Sequence, residues 1–193
     1  MTSALSFEEN PFFPFFEKKI RPLILASDSP YVGISLCYLN QALVSFALAG
    51  WIKSNFRNKK LVMGGGLVSS WMSRPNFGDA SSNPFSSLID TLIKGEGEKP
   101  LLALLGVPDT RQKHYVPDYG FAKDHDYLAP GRILPFRASI GCYWSKCRFC
   151  PERAETRPYS TQRAAKTLDD LKKMNQLYSP DTVHFIDLSL IHI

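Results

Sequence analysis

The sequence lacks the features that would direct it to a membrane or to secretion. No stretch of its 193 residues approaches the roughly 18 to 20 uninterrupted apolar residues that a membrane span needs. Its first residues also lack the basic region followed by an apolar one that marks a secretory signal. These absences predict a cytoplasmic protein with no membrane partner.

Cysteine is scarce and unevenly placed. There are four cysteines, and Cys142, Cys147 and Cys150 fall within nine residues. Thiols so close in sequence strain to pair, and one of the three would always be left over, which argues against a disulfide framework. Metal or cluster binding in a reducing compartment fits better. Cys37 stands in an apolar run and is predicted to be a small buried hydrophobe.

Neither basic nor acidic residues are in large excess. The chain has 23 basic and 18 acidic residues, a formal charge of +5, and the basic residues are scattered. This favours a solvated surface over a nucleic-acid interface, so a nucleic-acid partner is not expected. The 44% hydrophobic content predicts a globular protein with one ordinary core or two small ones.

The first half of the chain reads as an α/β domain. Apolar runs at 31–36 and 61–63 predict buried parallel strands, and the apolar period across 39–56 predicts a helix between them. The triple glycine Gly64-Gly65-Gly66 would stop the second strand. A short helix, a third strand and a helix ended by glycine are predicted at 85–90, 91–93 and 100–105, and the whole is expected to form an open, partial Rossmann-like sheet over residues 1–106.

The second half reads as the opening of a (β/α) barrel, after an irregular linker at 107–131. A strand is predicted at 133–140, followed by the cysteine loop, a helix that Ser160 would cap, and a strand at 182–186. The predicted apolar face of this helix consists of Ala164, Leu168, Leu171 and Tyr178. On the opposite, exposed face, Asp169 and Asp170 are predicted to pair with Lys172 and Lys173.

The predicted elements amount to incomplete domains. One βαβ unit cannot bury both faces of a barrel sheet, since a full barrel takes on the order of 200 residues. No strand is predicted before Tyr31, and residues 188–193 do not read as barrel sequence. We therefore expect a chain truncated at both ends, with 132–193 as an N-terminal barrel fragment, and we expect the 193-residue chain by itself to be catalytically inactive.

The cysteine loop carries a family resemblance. The segment Gly141-Cys142-Tyr143-Trp144-Ser145-Lys146-Cys147-Arg148-Phe149-Cys150 resembles the cluster loop of the radical S-adenosylmethionine (radical SAM) superfamily, which has an aromatic residue before the third cysteine. The commoner first gap in that superfamily is three residues, whereas the gap of four is typical of members with an N-terminal cobalamin-binding domain. The resemblance implies that Cys142, Cys147 and Cys150 hold three irons of a [4Fe–4S] cluster and leave the fourth iron open.

That resemblance also implies an activity. The cluster would reduce S-adenosylmethionine and release a 5′-deoxyadenosyl radical, which would act on an unidentified small-molecule or peptide substrate, with an electron donor such as flavodoxin or ferredoxin. Phe149 and Asp187 would then meet S-adenosylmethionine, with the Asp187 carboxylate facing the methionine ammonium group. The alternative for Asp187 is a strand-end carboxylate that caps a turn.

A second part of the resemblance lies in the first domain and allows cobalamin as a methyl carrier. Val32-Gly33-Ile34-Ser35, Gln41, Met63-Gly64-Gly65-Gly66 and Gly95-Glu96-Gly97-Glu98 are similar to the cobalamin-binding domains of such enzymes. The implied pocket residues are Ser35, Gly64, Gly65, Gly66, Gly95 and Glu96. The alternative is tight packing of helix on sheet. An Asp-x-His-x-x-Gly motif is absent, so a histidine-ligated cobalt is unsupported.

Two other functions remain open on the residues themselves. A zinc site could combine the three cysteines with His184 or His114, which would make the chain a non-catalytic zinc- or cluster-binding module. A methylthiotransferase acting on RNA would need further cluster cysteines in the first domain, where Cys37 stands alone.

Overall fold

The chain folds as two compact units, Met1–Pro108 and Asp109–Ile193, and each has its own hydrophobic core. A computed structural model describes residues 2–74, 77, 84–109, 117–122, 128–150 and 158–188. Within these ranges, no helix has both the length and the apolar composition that crossing a bilayer requires.

The first unit begins with short helical segments. Helices α1 (Thr2–Leu5), α2 (Phe13–Phe15) and α3 (Arg21–Leu25) are joined by a 3₁₀ turn at Phe7–Glu9 and a π-helical turn at Phe16–Ile20. Proline lies in the first turn of both α2 and α3, and α3 continues directly from the π-helical turn. Residues 2–30 thus contain no strand, and Tyr31 begins the first one.

A parallel sheet of three strands forms the centre of the first unit. Strands β1 (Tyr31–Ser35), β2 (Lys60–Gly64) and β3 (Thr91–Leu92) lie in the order β1-β2-β3, and helix α4 (Ala42–Asn55) connects the first two. The predicted strand–helix–strand order is confirmed, and so is the α/β class at this coarse level.

Helix α4 ties the N-terminal helices to the sheet. Its sequence is apolar on nearly every side, as expected of a helix covered on more than one face. Trp51 is fully buried, 5.8 Å from Phe16 between ring centroids, and its indole N–H donates to Glu17 Oε1 at 2.6 Å. Gly50 lies so close to α1 that an added Cβ would be 2.0 Å from the Ala4 carbonyl oxygen.

The triple glycine does more than stop β2. Helix α5 (Gly66–Met72), which the sequence analysis did not predict, starts inside it. Gly65 has φ of 103°, in the region that favours glycine, and a Cβ there would lie 2.6 Å from the Leu36 carbonyl oxygen. The chain can therefore turn from strand to helix through a single residue only because no side chain stands at Gly65.

Two further predictions in the first unit have different outcomes. The short helix at 85–90 is wrong: the Leu88 and Ile89 amides both bond the Phe85 carbonyl, which makes a single turn before β3. Helix α6 (Glu98–Leu104) is confirmed, and Gly106 follows it with φ of 68°.

The second unit contains two parallel, paired strands and a helix that lies between them in the sequence. Strand β4 (Ile133–Phe136) lies beside β7 (Thr182–Phe185), and helix α7 (Ala164–Tyr178) connects the cysteine loop to β7. Met174 and Tyr178 of α7 are buried against Leu134 and Phe136 of β4.

The predicted strand at 133–140 is broken in the structure. Its second part is a separate strand, β5 (Ser139–Ile140), which pairs antiparallel with β6 (Ser160–Thr161). The break coincides with a long-range contact, because the amides of Ala138 and Ser139 donate to the Asp187 side chain. Ser160 consequently lies in a strand and does not cap α7, whose N-cap position is Arg163.

We predict that Gly50→Ala separates α1 from α4. The added methyl group would overlap the Ala4 carbonyl, and relieving that overlap should cost about 1–3 kcal/mol of unfolding free energy. Urea unfolding and limited proteolysis near the N-terminus measure the effect. Gly33→Ala is the matched control, since nothing lies within 4 Å of its added Cβ. Equal stability of the two variants would contradict the prediction.

Candidate functional site

The cysteine loop begins directly after β5 and is shaped by two residues in the left-handed backbone conformation. Gly141 has φ of 74° and Ser145 has φ of 46°, so the chain turns sharply on both sides of Cys142. The Ser145 amide donates a hydrogen bond to Cys142 Sγ at 3.5 Å, and the Cys150 amide donates to the Cys147 carbonyl at 3.3 Å. All three cysteines lie outside any disulfide and are partly exposed, so reagents and metals can reach them.

The three thiols share a loop, but they do not form a closed ligand set here. Among the described residues, no group of three or more His, Cys, Asp or Glu side chains could hold a metal ion. The donor chemistry fits an iron–sulfur cluster, because thiolates are its usual ligands and an N–H donor already lies next to one sulfur. The ligand roles of Cys142, Cys147 and Cys150 stay a prediction.

The zinc alternative gains no support from the histidines. His184 lies in β7, opposite Pro135 in the parallel register, and its side chain is exposed. His114 lies outside the described residues.

The aromatic side chains of the loop are largely exposed. Phe149 is 91% exposed, and the Lys146 ammonium lies 5.1 Å from the centre of the Trp144 ring. Tyr143 packs edge-on against Tyr159, which comes from the far end of the loop. Phe149 is thus open to a ligand, and its predicted contact with S-adenosylmethionine remains untested.

Asp187 lies where β7 ends and reaches across to the start of the cysteine loop. Its carboxylate accepts hydrogen bonds from the Ala138 amide at 3.2 Å and from the amide and hydroxyl of Ser139. This is the strand-end capping role that the sequence left open as an alternative. Binding of a ligand ammonium group by the same carboxylate stays a prediction.

A pocket of about 340 Å³ lies beside Asp187, between the β5–β6 pair and the first half of α7. Its wall is mostly apolar, with a few hydroxyl, amide and carboxylate groups. The principal lining residues are Ser139, Tyr159, Thr161, Gln162, Leu168 and Asp187.

Asp170 is a buried carboxylate whose place the sequence analysis predicted wrongly. The sequence predicts an exposed charge pair with Lys172 and Lys173, but Asp170 is only 2% exposed and accepts hydrogen bonds from Gln162 Nε2 and Lys166 Nζ. A signal was present, because Asp170, Met174 and Tyr178 recur every four residues and all three are buried. Leu168, predicted to face the core, is 53% exposed instead.

The predicted cobalamin residues lie at one edge of the sheet of the first unit. Ser35 and Gly64 are partners at the carboxyl ends of β1 and β2, and Gly65 and Gly66 follow at once. Gly95 and Glu96 come shortly after β3, where the Gly95 amide donates to Ser69 Oγ of α5 at 2.8 Å. The structure therefore brings these residues to the same edge, and the close approach at Gly65 is one of backbone to backbone.

Cys37, at this same edge, is not the buried hydrophobe that its apolar neighbours predicted. It is exposed, with Sγ 3.5 Å from Ser35 Oγ, because its amide and that of Tyr38 donate to Gln41 Oε1 and turn the segment outward.

Comparison of the chain with protein families, curated proteins and solved structures finds no match.

We predict that Asp187→Ala loosens the start of the cysteine loop. Without the carboxylate, the Ala138 and Ser139 amides lose their acceptor, and their hydrogen exchange should become about tenfold faster. Asp187→Asn keeps one acceptor oxygen and should give an intermediate rate. Exchange in the Ala variant that equals the wild-type rate would refute the capping role.

A second prediction concerns acid stability. Burial raises the pKa of Asp170, but hydrogen bonds from Lys166 and Gln162 and the charge of Lys173 outweigh it, so the pKa lies below its ordinary value. The carboxylate therefore stabilises the fold fully above the ordinary Asp pKa of about 3.9, and this contribution is lost as pH falls through the lowered value.

Asp170→Asn cannot ionise. We expect it to lose about 1–2 kcal/mol of unfolding free energy at neutral pH and to lose less stability than wild type on acidification. Urea unfolding from pH 7 down to acid conditions measures both effects. Asp169→Asn, on the exposed side of α7, should keep the wild-type acid slope. An unchanged slope in Asp170→Asn would disprove the assignment.

Proposed function

We propose that this chain is a radical SAM protein whose second unit holds a [4Fe–4S] cluster and S-adenosylmethionine. The observation that supports it most is the order of elements around the three cysteines. Strand β4 leads into the cysteine loop, α7 follows, and β7 returns parallel to β4. This is the order expected of the first βαβ unit of a radical SAM (β/α) barrel.

Different residues of the loop would bind the cluster and the S-adenosylmethionine. Cys142, Cys147 and Cys150 would hold the cluster, and the Ser145 amide beside Cys142 Sγ is the kind of hydrogen bond that tunes such a cluster. When bound, the cluster supplies the electron that cleaves S-adenosylmethionine to methionine and a 5′-deoxyadenosyl radical. Phe149 is exposed beside the third thiol and would contact the S-adenosylmethionine.

Asp187 would serve the same ligand from the neighbouring strand. The carboxylate is partly exposed and lines the pocket beside the loop, so it can offer an oxygen to an ammonium group while its bonds to Ala138 and Ser139 hold it in place. In this proposal, one side chain would both fix the start of the loop and orient the ligand.

The first unit would be a Rossmann-like, cobalamin-binding domain. Its support is the common edge at which Ser35, Gly64 and Gly95 lie, because ligands of open parallel sheets bind outside the carboxyl ends of the strands. Cobalamin there would carry a methyl group to the substrate. We place the protein in the cytoplasm, with a flavodoxin or ferredoxin as electron donor.

Anaerobic reconstitution of the full chain with iron and sulfide tests the proposal. We expect about four irons per chain and a reduced-state paramagnetic resonance spectrum that changes when S-adenosylmethionine is added. Cys142→Ser, Cys147→Ser and Cys150→Ser should each lose most of the cluster, because each removes a thiolate ligand.

Cys37→Ser is the matched control, since it removes an exposed thiol of the other unit and should bind iron like the wild type. A chain that takes up zinc but no four-iron cluster would replace the proposal with the zinc-binding module. A cluster whose spectrum ignores S-adenosylmethionine would exclude radical SAM chemistry.

A further inference from the structure

The cysteine loop is closed at its base by a short ladder. Ser139 pairs with Thr161 and Ile140 with Ser160, and beyond them the Gln162 amide donates to the Ala138 carbonyl at 2.8 Å. Cys142 lies two residues past the ladder, so the ladder sets the point from which the loop departs. We call residues 138–140 and 160–162 the neck of the loop.

Two carboxylates hold the neck, and each of them binds one of its two strands. Asp187 bonds the outgoing strand through Ala138 and Ser139. Asp170 bonds the returning strand through the side-chain amide of Gln162, whose backbone belongs to the neck. The outgoing side is thereby tied to β7 and the returning side to α7.

Burial makes the bond between Asp170 and Gln162 specific. A carboxylate that is 2% exposed must have hydrogen-bond donors, because an unsatisfied charge in the interior is costly. Lys166, one turn before Asp170 on the same helix, supplies the compensating charge. Gln162 supplies no charge, so what its amide adds is a link from the helix to the neck.

We infer that Asp170 is a positioning residue for the cysteine loop, which acts through Gln162 to hold the returning strand and thus the geometry in which the three thiols are presented. The significance of that geometry for a cluster rests on the proposed function. The closing of the neck does not, and it can be measured on the metal-free chain.

The test compares two variants of the full, metal-free chain. Gln162→Leu removes the amide and leaves the pair of Asp170 with Lys166, whereas Asp170→Ala removes the carboxylate. In both, we expect hydrogen exchange of residues 138–140 and 160–162 to become about fivefold faster. In Gln162→Leu, which keeps the buried charge pair, the half of α7 around Met174 should also keep its protection. A purely structural role would change helix and neck together.

Thiol alkylation gives a second readout with an internal reference. Cys142, Cys147 and Cys150 should react about fivefold faster with iodoacetamide in both variants, relative to Cys37 in the other unit of the same molecule. Asp169→Ala, one residue away on the exposed side of α7, should leave exchange and alkylation at wild-type rates.

The outcomes separate the inference from the proposed function. If Asp170→Ala fails to fold, Gln162→Leu decides, since it keeps the charge pair. Wild-type exchange at the neck in Gln162→Leu, or acceleration in that variant that is equal at the neck and along the whole of α7, would overturn the inference. A wild-type chain that binds no iron but whose neck opens in the variants would refute the proposed function and sustain the inference.

Discussion

The parallel register of β4 and β7 is the constraint on which the second unit depends. Ile133 pairs with Thr182 and Phe136 with Phe185, and the Ile186 amide adds one more bond to the Phe136 carbonyl. This register brings Asp187 to the place where β4 ends, and the carboxylate then takes the amides of Ala138 and Ser139. A shift of one residue would turn Asp187 to the other face of the strand and remove the support from the cysteine loop.

The sequence predicts the order of elements well, because each strong signal is local. The apolar runs that became β1 and β2, the apolar length of α4 and the spacing of the cysteines all lie within short windows. The break after Phe136 was not predictable in this way, since its cause is an aspartate that comes 49 residues after Ala138. The buried position of Asp170 is hard to predict for a related reason: the lysines near it on the helix favour a surface charge pair, whereas the donor Gln162 lies before the helix, just after β6.

The two candidate sites also differ in how much the sequence could show. Three closely spaced cysteines predict a ligand set by residue type alone. The glycines of the first unit, in contrast, are compatible with both close packing and ligand contact. The structure distinguishes two of these glycines. Gly65 is required by its φ and by the close Leu36 carbonyl, whereas Gly95 is favoured by its φ of 72° alone, since no atom lies within 4 Å of an added Cβ. Backbone conformation thus favours glycine at both positions, and close packing adds to it only at Gly65.

The shortness of the β5–β6 ladder determines how the second unit can open locally. Two residue pairs close the base of the loop, while the core of the unit is formed by β4, β7 and the buried face of α7. The ladder can therefore separate without exposing Leu134 or Met174 to water. It follows that the loop can open and close while the scaffold stays folded, so the two parts of this unit open with different free energies.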